Sequence, residues 1–105
     1  INIHKEWWPE EELSQSALDN LIELYSNAKP RVMVTHDGPH SLISRWWPEY
    51  REEHFKSRTA NAFDRMLKIH TPDHWIFGHH HQSKSELING TNFRCLAIVE
   101  TMELP

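Results

Sequence analysis

The amino-acid sequence predicts a small α/β domain, and three features of the chain support this fold class. At 105 residues the chain has the size of one domain, so residues 1–105 are treated as a single unit. Hydrophobic residues make up 38% of the chain and charged residues 25%, a balance typical of a globular unit with a modest core. Helix, strand, helix, strand and hairpin patterns follow one another, which is the order of an α/β sheet with an antiparallel edge.

The first helix is predicted to begin at Ser14 and to end near Asn27. Ser14 is a suitable N-cap, and the acidic residues close to this end suit the helix dipole. Apolar side chains then recur every three or four residues and define one face of the helix: Ala17, Leu18, Leu21, Ile22 and Tyr25. The sequence Ala-Lys-Pro at residues 28–30 ends the helix.

Two short apolar runs predict strands that are covered on both faces. Residues 31–35 form the first run and residues 75–77 the second. Asp37-Gly38-Pro39 breaks the first strand abruptly, and Gly78 ends the second. Because ligand sites in open α/β sheets gather at the carboxyl ends of the strands, the two loops that follow are candidate site segments.

The remaining elements are a loop, a second helix and a hairpin. Residues 40–56 show no clean period and are expected to form a surface loop with one helical turn. Apolar residues between Ala60 and Leu67 then predict a second amphipathic helix, which ends at Thr71-Pro72. Asn89-Gly90 between two apolar runs predicts a C-terminal β-hairpin.

Composition and charge argue against several functional classes. The net charge is −4, whereas general nucleic-acid binding needs clustered Lys and Arg. No apolar run approaches the roughly 20 residues that a membrane-spanning helix needs. The single cysteine, Cys95, cannot form an internal disulfide, so we expect a reducing, cytoplasmic compartment and an inert core position for this thiol.

Histidines follow both predicted buried strands. His36 ends the first strand, and His79, His80 and His81 come directly after Gly78. If the two strands are neighbours, both loops open on one edge, where imidazoles could bind Zn²⁺, Mn²⁺ or Fe. In an extended segment His79 and His81 share a face and His80 points the other way. Taken singly, each histidine also fits a solvated loop or a polar surface run, and only the joint pattern favours a metal site.

These segments resemble two motifs of the calcineurin-like metallophosphoesterases, and the resemblance covers roughly residues 13–100. Residues 35–39, Thr-His-Asp-Gly-Pro, look like the fourth motif of the family, a strand that ends in one histidine. Residues 78–81, Gly-His-His-His, match the last motif, Gly-His-x-His. The resemblance implies the C-terminal half of a metallophosphoesterase-type α/β sandwich, with two helices, two buried strands and a C-terminal β-hairpin.

The resemblance also implies a role for each matching histidine. His36 and His79 would bind one metal ion and His81 the other, whereas His80 occupies the variable position and inherits no role. The two divalent ions (Mn, Fe or Zn) would activate a bridging hydroxide that attacks a phosphate mono- or diester substrate. The parent protein would therefore be a hydrolase with two metal cofactors.

The first three motifs of the family do not occur in this chain. Asp-x-His, Gly-Asp-x-x-Asp and Gly-Asn-His-Asp/Glu supply the bridging aspartate, an asparagine ligand and the catalytic histidine in that family. The chain begins without Met, and we expect it to be a partial domain that is inactive by itself. Half a sheet would expose edges and apolar surface, so we expect self-association or pairing with a missing N-terminal half.

Three further residues could belong to a substrate loop. Asp37 and His40 could orient a ligand or a water molecule. Arg45 could bind a substrate phosphate through its bidentate guanidinium, although an ion pair with Glu49 or Glu52 is the stronger expectation.

Two other functions are compatible with the same residues. Without the bridging aspartate, the chain could be a non-catalytic metal-binding or scaffold module with tryptophans as contact anchors. Trp46 and Trp47 could instead border a substrate pocket, but packing over the edge of the sheet is favoured. A structural zinc domain is the third possibility, although three histidines and one unrelated cysteine are not a familiar ligand set.

Overall fold

The computed structural model describes residues 13–78, 80 and 82–97, which form four helices and one four-stranded mixed sheet. This arrangement confirms the predicted α/β class. The helices are α1 (Gln15–Ala28), α2 (His40–Trp46), α3 (Arg51–His54) and α4 (Arg58–Ile69), with a 3₁₀ turn at Pro48–Tyr50 between α2 and α3. The strands are β1 (Val32–Thr35), β2 (His74–Phe77), β3 (Lys84–Ile88) and β4 (Thr91–Cys95).

The sheet has the strand order β1-β2-β4-β3. Strands β1 and β2 are parallel neighbours, and β2 is also parallel to β4. Strand β3 pairs antiparallel with β4 through the predicted Asn89-Gly90 turn, in which both residues have positive φ angles. In the register of β1 and β2, Thr35 lies opposite Phe77, so the two strands end side by side.

Side-chain caps fix the beginnings of the two long helices. The Ser14 hydroxyl accepts a hydrogen bond from the Ala17 backbone N–H at 3.2 Å, which confirms the predicted start of α1. Ser57 does the same for α4 by accepting from the Ala60 backbone N–H at 3.1 Å. Each cap satisfies a backbone donor that has no partner inside its own helix.

The prediction of a surface loop at residues 40–56, and with it the total of two helices, was wrong. Helix α2 occupies the first part of this segment and buries Leu42, Ile43 and Trp46. The Trp46 ring stacks on Phe77 of β2 with centroids 5.9 Å apart, so the predicted packing of this tryptophan over the sheet is confirmed. Seven residues are too few for a helical period to repeat, and tertiary packing stabilises this helix instead.

The main buried cluster contains alternate residues of the strands, and Ile76 between two of them is buried as well, so β2 is covered on both faces as predicted. Alternate strand residues, among them Trp75, Phe77 and Phe93, form one buried cluster with side chains of the helices. Cys95 is fully buried in the same cluster, as predicted. The prediction that β1 is covered on both faces was wrong, because β1 lies at the edge of the sheet formed by the described residues and Val34 is 63% exposed.

Every helix among the described residues is too short or too polar to cross a bilayer.

Candidate functional site

The segments that follow β1 and β2 meet at one edge of the sheet. The backbone N–H of Gly78 donates a hydrogen bond to the backbone carbonyl of His36 at 3.1 Å. This contact continues the parallel pairing of β1 and β2 by one step beyond the last residues of the strands. The prediction that both histidine-bearing loops begin at a common edge is therefore confirmed.

The predicted metal ligands are only partly described. The side chain of His36 is exposed at the end of β1. His79 and His81 lie outside the described residues, so their ligation of a metal stays a prediction.

Asp37 is the centre of a hydrogen-bonded cluster at this edge. Its Oδ2 accepts from His54 Nε2 at 2.7 Å, and its Oδ1 accepts from His80 Nε2 at 2.6 Å. Oδ1 also accepts from the backbone N–H of Gly38 at 2.7 Å. The Asp37, His54 and His80 side chains are 18%, 8% and 3% exposed, so the cluster is largely shielded from water.

The pKa of Asp37 is set by two opposing effects. Burial raises the pKa because it disfavours the charged form. Hydrogen bonds from His54 and His80, together with the charges of these imidazoles, outweigh burial and lower the pKa of Asp37 far below its ordinary value. Asp37 is therefore a carboxylate across the physiological range.

His40 forms a second layer behind His54. The Ser44 hydroxyl donates to the backbone carbonyl of His40 at 2.9 Å and lies 3.2 Å from His40 Nε2, so that nitrogen donates to the hydroxyl. His40 Nδ1 is then the acceptor for His54 Nδ1, which lies 3.2 Å away. Burial, followed by the charge of His54, lowers the pKa of His40, in agreement with a neutral acceptor. His54 thus lies between the Asp37 carboxylate and the His40 ring.

Aromatic side chains enclose the His80 ring. Trp47 stacks on this imidazole with centroids 4.6 Å apart, and Phe77 meets it edge-on at 6.2 Å. The Trp47 indole N–H donates to Gln82 Oε1 at 3.1 Å, which ties the tryptophan to the chain just beyond the triple histidine. Trp47 therefore packs on the sheet edge, as favoured, and at the same time forms one wall of the cluster.

Arg45 lies apart from this cluster. Its Nε and Nη2 atoms donate to the two carboxylate oxygens of Glu86 at 3.1 and 2.6 Å. An ion pair was the favoured expectation for Arg45, but the partner is Glu86 of β3 instead of Glu49 or Glu52. A partner 41 residues away along the chain cannot be predicted from local sequence patterns.

Sequence reasoning assigned no role to two members of the cluster. His54 lies in a charged stretch 17 residues after Asp37, and no motif marks it. His80 occupies the variable position of the Gly-His-x-His pattern. Of the three residues, only Asp37 was predicted from the sequence to belong to a site. It was named because it follows a predicted strand and could orient a ligand or a water molecule.

The cluster has the chemistry of a metal site but the spacing of a hydrogen-bonded network. Its carboxylate and two imidazoles suit divalent transition metals, and the three ligand atoms lie within 4.8 Å of one another. Ligands of a tetrahedral ion with bonds of about 2.0–2.1 Å lie about 3.3 Å apart. The distances of 2.6 and 2.7 Å between oxygen and nitrogen are those of charge-assisted hydrogen bonds. In this structure Asp37 is therefore hydrogen-bonded directly to the two imidazoles, and the spacing is too short for all three groups to be ligands of one tetrahedral ion.

A scan of the chain against protein-family models gives no match, and a search of the curated proteins also finds none.

Proposed function

We propose that this chain is the C-terminal segment of a dinuclear metal-dependent phosphoesterase that hydrolyses phosphate mono- or diesters. One observation carries the proposal: β1 and β2 are parallel neighbours, and the Gly78 N–H bonds to the His36 carbonyl at 3.1 Å directly beyond them. The two motif-like segments, separated by some 40 residues of sequence, thus begin at the same edge of the sheet. A shared metal centre requires that arrangement.

Each histidine keeps the role that the family resemblance implies. His36 and His79 contribute imidazoles to one ion, and His81 contributes to the second. When bound, two divalent ions would neutralise charge on the phosphoryl group and supply the attacking oxygen. The segments that carry these histidines begin at the sheet edge, and Trp47 shields the adjoining cluster from water.

The remaining parts of the centre come from outside this chain. Divided between two ions, two imidazoles and a single imidazole make weak sites for Zn or Mn, so the chain alone is expected to hydrolyse little or no substrate. The edge strand β1, with Val34 63% exposed, is compatible with pairing to a further half or to a second copy.

Calorimetric titration of Mn²⁺ and Zn²⁺ tests the proposal. The chain is compared with a His36→Ala/His79→Ala double variant and with His74→Gln, which alters a histidine at the opposite end of β2. We expect a defined binding event in the chain and in His74→Gln and its loss in the double variant. With nine histidines, some weak binding will occur everywhere, so only the difference is diagnostic.

Identical isotherms for the chain and the double variant would contradict the proposal. A non-catalytic scaffold module would then account better for the chain, with its tryptophans as the contact residues. Hydrolysis of p-nitrophenyl phosphate and bis(p-nitrophenyl) phosphate, measured in the same samples with Mn²⁺, is expected to stay near background. High activity in the isolated chain would show that the missing ligands are not needed.

A further inference from the structure

We propose that Asp37 is a positioning residue that holds the segment after β1 against the segment after β2. Its carboxylate bridges two imidazoles, and the predicted metal ligands are direct neighbours in sequence of Asp37 and His80. The purpose assigned to this bridge rests on the proposed function, but the bridge itself can be tested without metal.

The bridge joins three separate parts of the chain. Asp37 lies in the loop after β1, His54 lies in α3, and His80 lies beyond the end of β2. Because both carboxylate oxygens are used, one for each imidazole at 2.7 and 2.6 Å, the side chain of Asp37 cannot rotate without breaking a bond. The Thr35 hydroxyl donates to the Asp37 carbonyl at 2.6 Å and restrains the backbone of the same residue.

The sequence positions connect this bridge to the predicted metal ligands. Asp37 directly follows His36, and His80 lies between His79 and His81. Movement of Asp37 would therefore displace the neighbouring His36, and movement of His80 would displace the neighbouring His79 and His81. Groups that orient metal ligands without contacting the ion commonly change metal affinity by about 10–100-fold when they are removed.

Burial gives the bridge its strength. His80 is 3% exposed and is stacked on Trp47, so water competes poorly for the bond to Asp37. His54 is held from its other side by His40 at 3.2 Å. The two donors are thus fixed before any ion is present.

The substitution Asp37→Asn tests the bridge, with Asp64→Asn as the matched control. An asparagine keeps the shape of Asp37 but offers only one oxygen, so it cannot accept from both imidazoles in their present form. Asp64 likewise accepts hydrogen bonds from another segment, through the Ser41 N–H and hydroxyl, but does not connect the two loops. Both variants lose one negative charge.

The first measurement is amide hydrogen exchange of Gly78 in the metal-free chain. This N–H bonds to the His36 carbonyl, so it reports directly on contact between the two segments. We expect exchange of Gly78 to accelerate at least about tenfold in Asp37→Asn, the equivalent of one lost charge-assisted hydrogen bond, and to stay unchanged in Asp64→Asn. Unchanged exchange of Gly78 in Asp37→Asn would overturn the bridge whatever the metal titrations show.

The second measurement is the affinity of the His36-dependent metal site for Mn²⁺. We expect Asp37→Asn to weaken it by about 10–100-fold with the stoichiometry retained. Suppose instead that Asp37→Asn loses one whole equivalent of bound metal, and that His36→Ala still binds this equivalent. Asp37 would then be a direct metal ligand, and the positioning role would be overturned. Faster Gly78 exchange with no His36-dependent site in the unmodified chain would leave the bridge standing and reject the phosphoesterase proposal.

A pair of substitutions at His80 separates hydrogen bonding from packing. Both His80→Leu and His80→Gln remove the ring that stacks on Trp47, but only glutamine keeps an N–H donor for Asp37. Slower Gly78 exchange and tighter Mn²⁺ binding in His80→Gln than in His80→Leu are expected. Equal values in the two variants would assign the effect to packing and contradict the bridge.

Discussion

Two carboxylates in this protein accept hydrogen bonds from two side chains each, but in contrasting surroundings. Asp37 accepts from His54 and His80 inside a largely buried cluster. Glu86 accepts from Arg45 and from the Trp46 indole N–H, at 2.8 Å for the latter, on the outer part of the hairpin. The Arg45 side chain is 60% exposed, so water and salt can compete for the second carboxylate.

The pKa values of Asp37 and Glu86 are both lowered, but the causes differ. Burial opposes ionisation of Asp37 most strongly, and the two imidazoles overcome it. For Glu86 the hydrogen bond from Arg45 is the main cause, and it lowers the pKa to about 2. The number of hydrogen bonds is the same, but loss of the Asp37 acceptor leaves two shielded imidazoles unsatisfied, whereas loss of the Glu86 acceptor leaves Arg45, the main donor, where water can reach it.

The largest effect on stability is therefore expected at Asp37. Asp37→Asn should lower the free energy of unfolding by about 2–3 kcal/mol, because one of the two buried imidazoles loses a charged acceptor. Urea denaturation of the metal-free chain measures this loss. Glu86→Gln, measured in parallel, should shift the midpoint much less, and equal shifts would contradict the distinction between the two regions.

Gly38 offers a second way to disturb the buried region. A Cβ at this position would lie 2.9 Å from Phe77 Cζ, and the Phe77 ring is itself stacked against Trp46 and buried. Gly38→Ala should cost about 2 kcal/mol because the ring has little room to move. Gly78→Ala is the control, since a Cβ there meets nothing within 4 Å, and it should unfold close to the parent midpoint. A Gly38→Ala variant as stable as Gly78→Ala would mean that the Phe77 ring yields easily.

Local signals predicted the elements of this fold whose stability begins with local chemistry. The Ser14 cap, the periodicity of α4 and the Asn89-Gly90 turn each depend on neighbouring residues, and each is found as predicted. Helix α2 depends instead on its contact with the sheet, and the exposure of Val34 depends on the strand order. Neither of those properties is encoded within a short window of sequence.

The same distinction explains what was missed in the candidate site. Strand-end reasoning reached Asp37, because a loop after a buried strand can be located from the sequence alone. The same argument could not predict His54, because His54 becomes a neighbour of Asp37 only when α3 packs beside the loop. His80 was left without a role because it occupies the variable position of the motif. Its predicted orientation, away from the face of His79 and His81, assumed an extended segment, whereas β2 ends at Phe77.

A smaller effect is expected at Thr35, behind the cluster. Its hydroxyl donates to the Asp37 carbonyl and accepts from the indole N–H of the fully buried Trp75 at 2.8 Å. Thr35→Val removes the hydroxyl at nearly constant volume and should cost about 1–2 kcal/mol, because the indole N–H loses its acceptor. Thr35→Ser keeps the hydroxyl and should retain most of that stability in the same urea titration. Equal losses in both variants would point to the methyl group instead of the hydrogen bonds.

The smallest effect is expected at Glu86, where it should depend on pH. The folded pKa of about 2 lies below the ordinary value of 4.5, so this carboxylate stabilises the folded state fully above that ordinary value. The contribution is lost as the pH falls through the folded value, since both states are then protonated. The difference in urea midpoint between the chain and Glu86→Gln should therefore be largest near neutral pH, about pH 6, and shrink towards about pH 2. Glu23→Gln, which removes an exposed carboxylate from α1, controls for the change in net charge. Added salt should also reduce the difference in urea midpoint between the chain and Glu86→Gln, because Arg45 is exposed. A difference that changes with neither pH nor salt would show that the ion pair contributes nothing to stability.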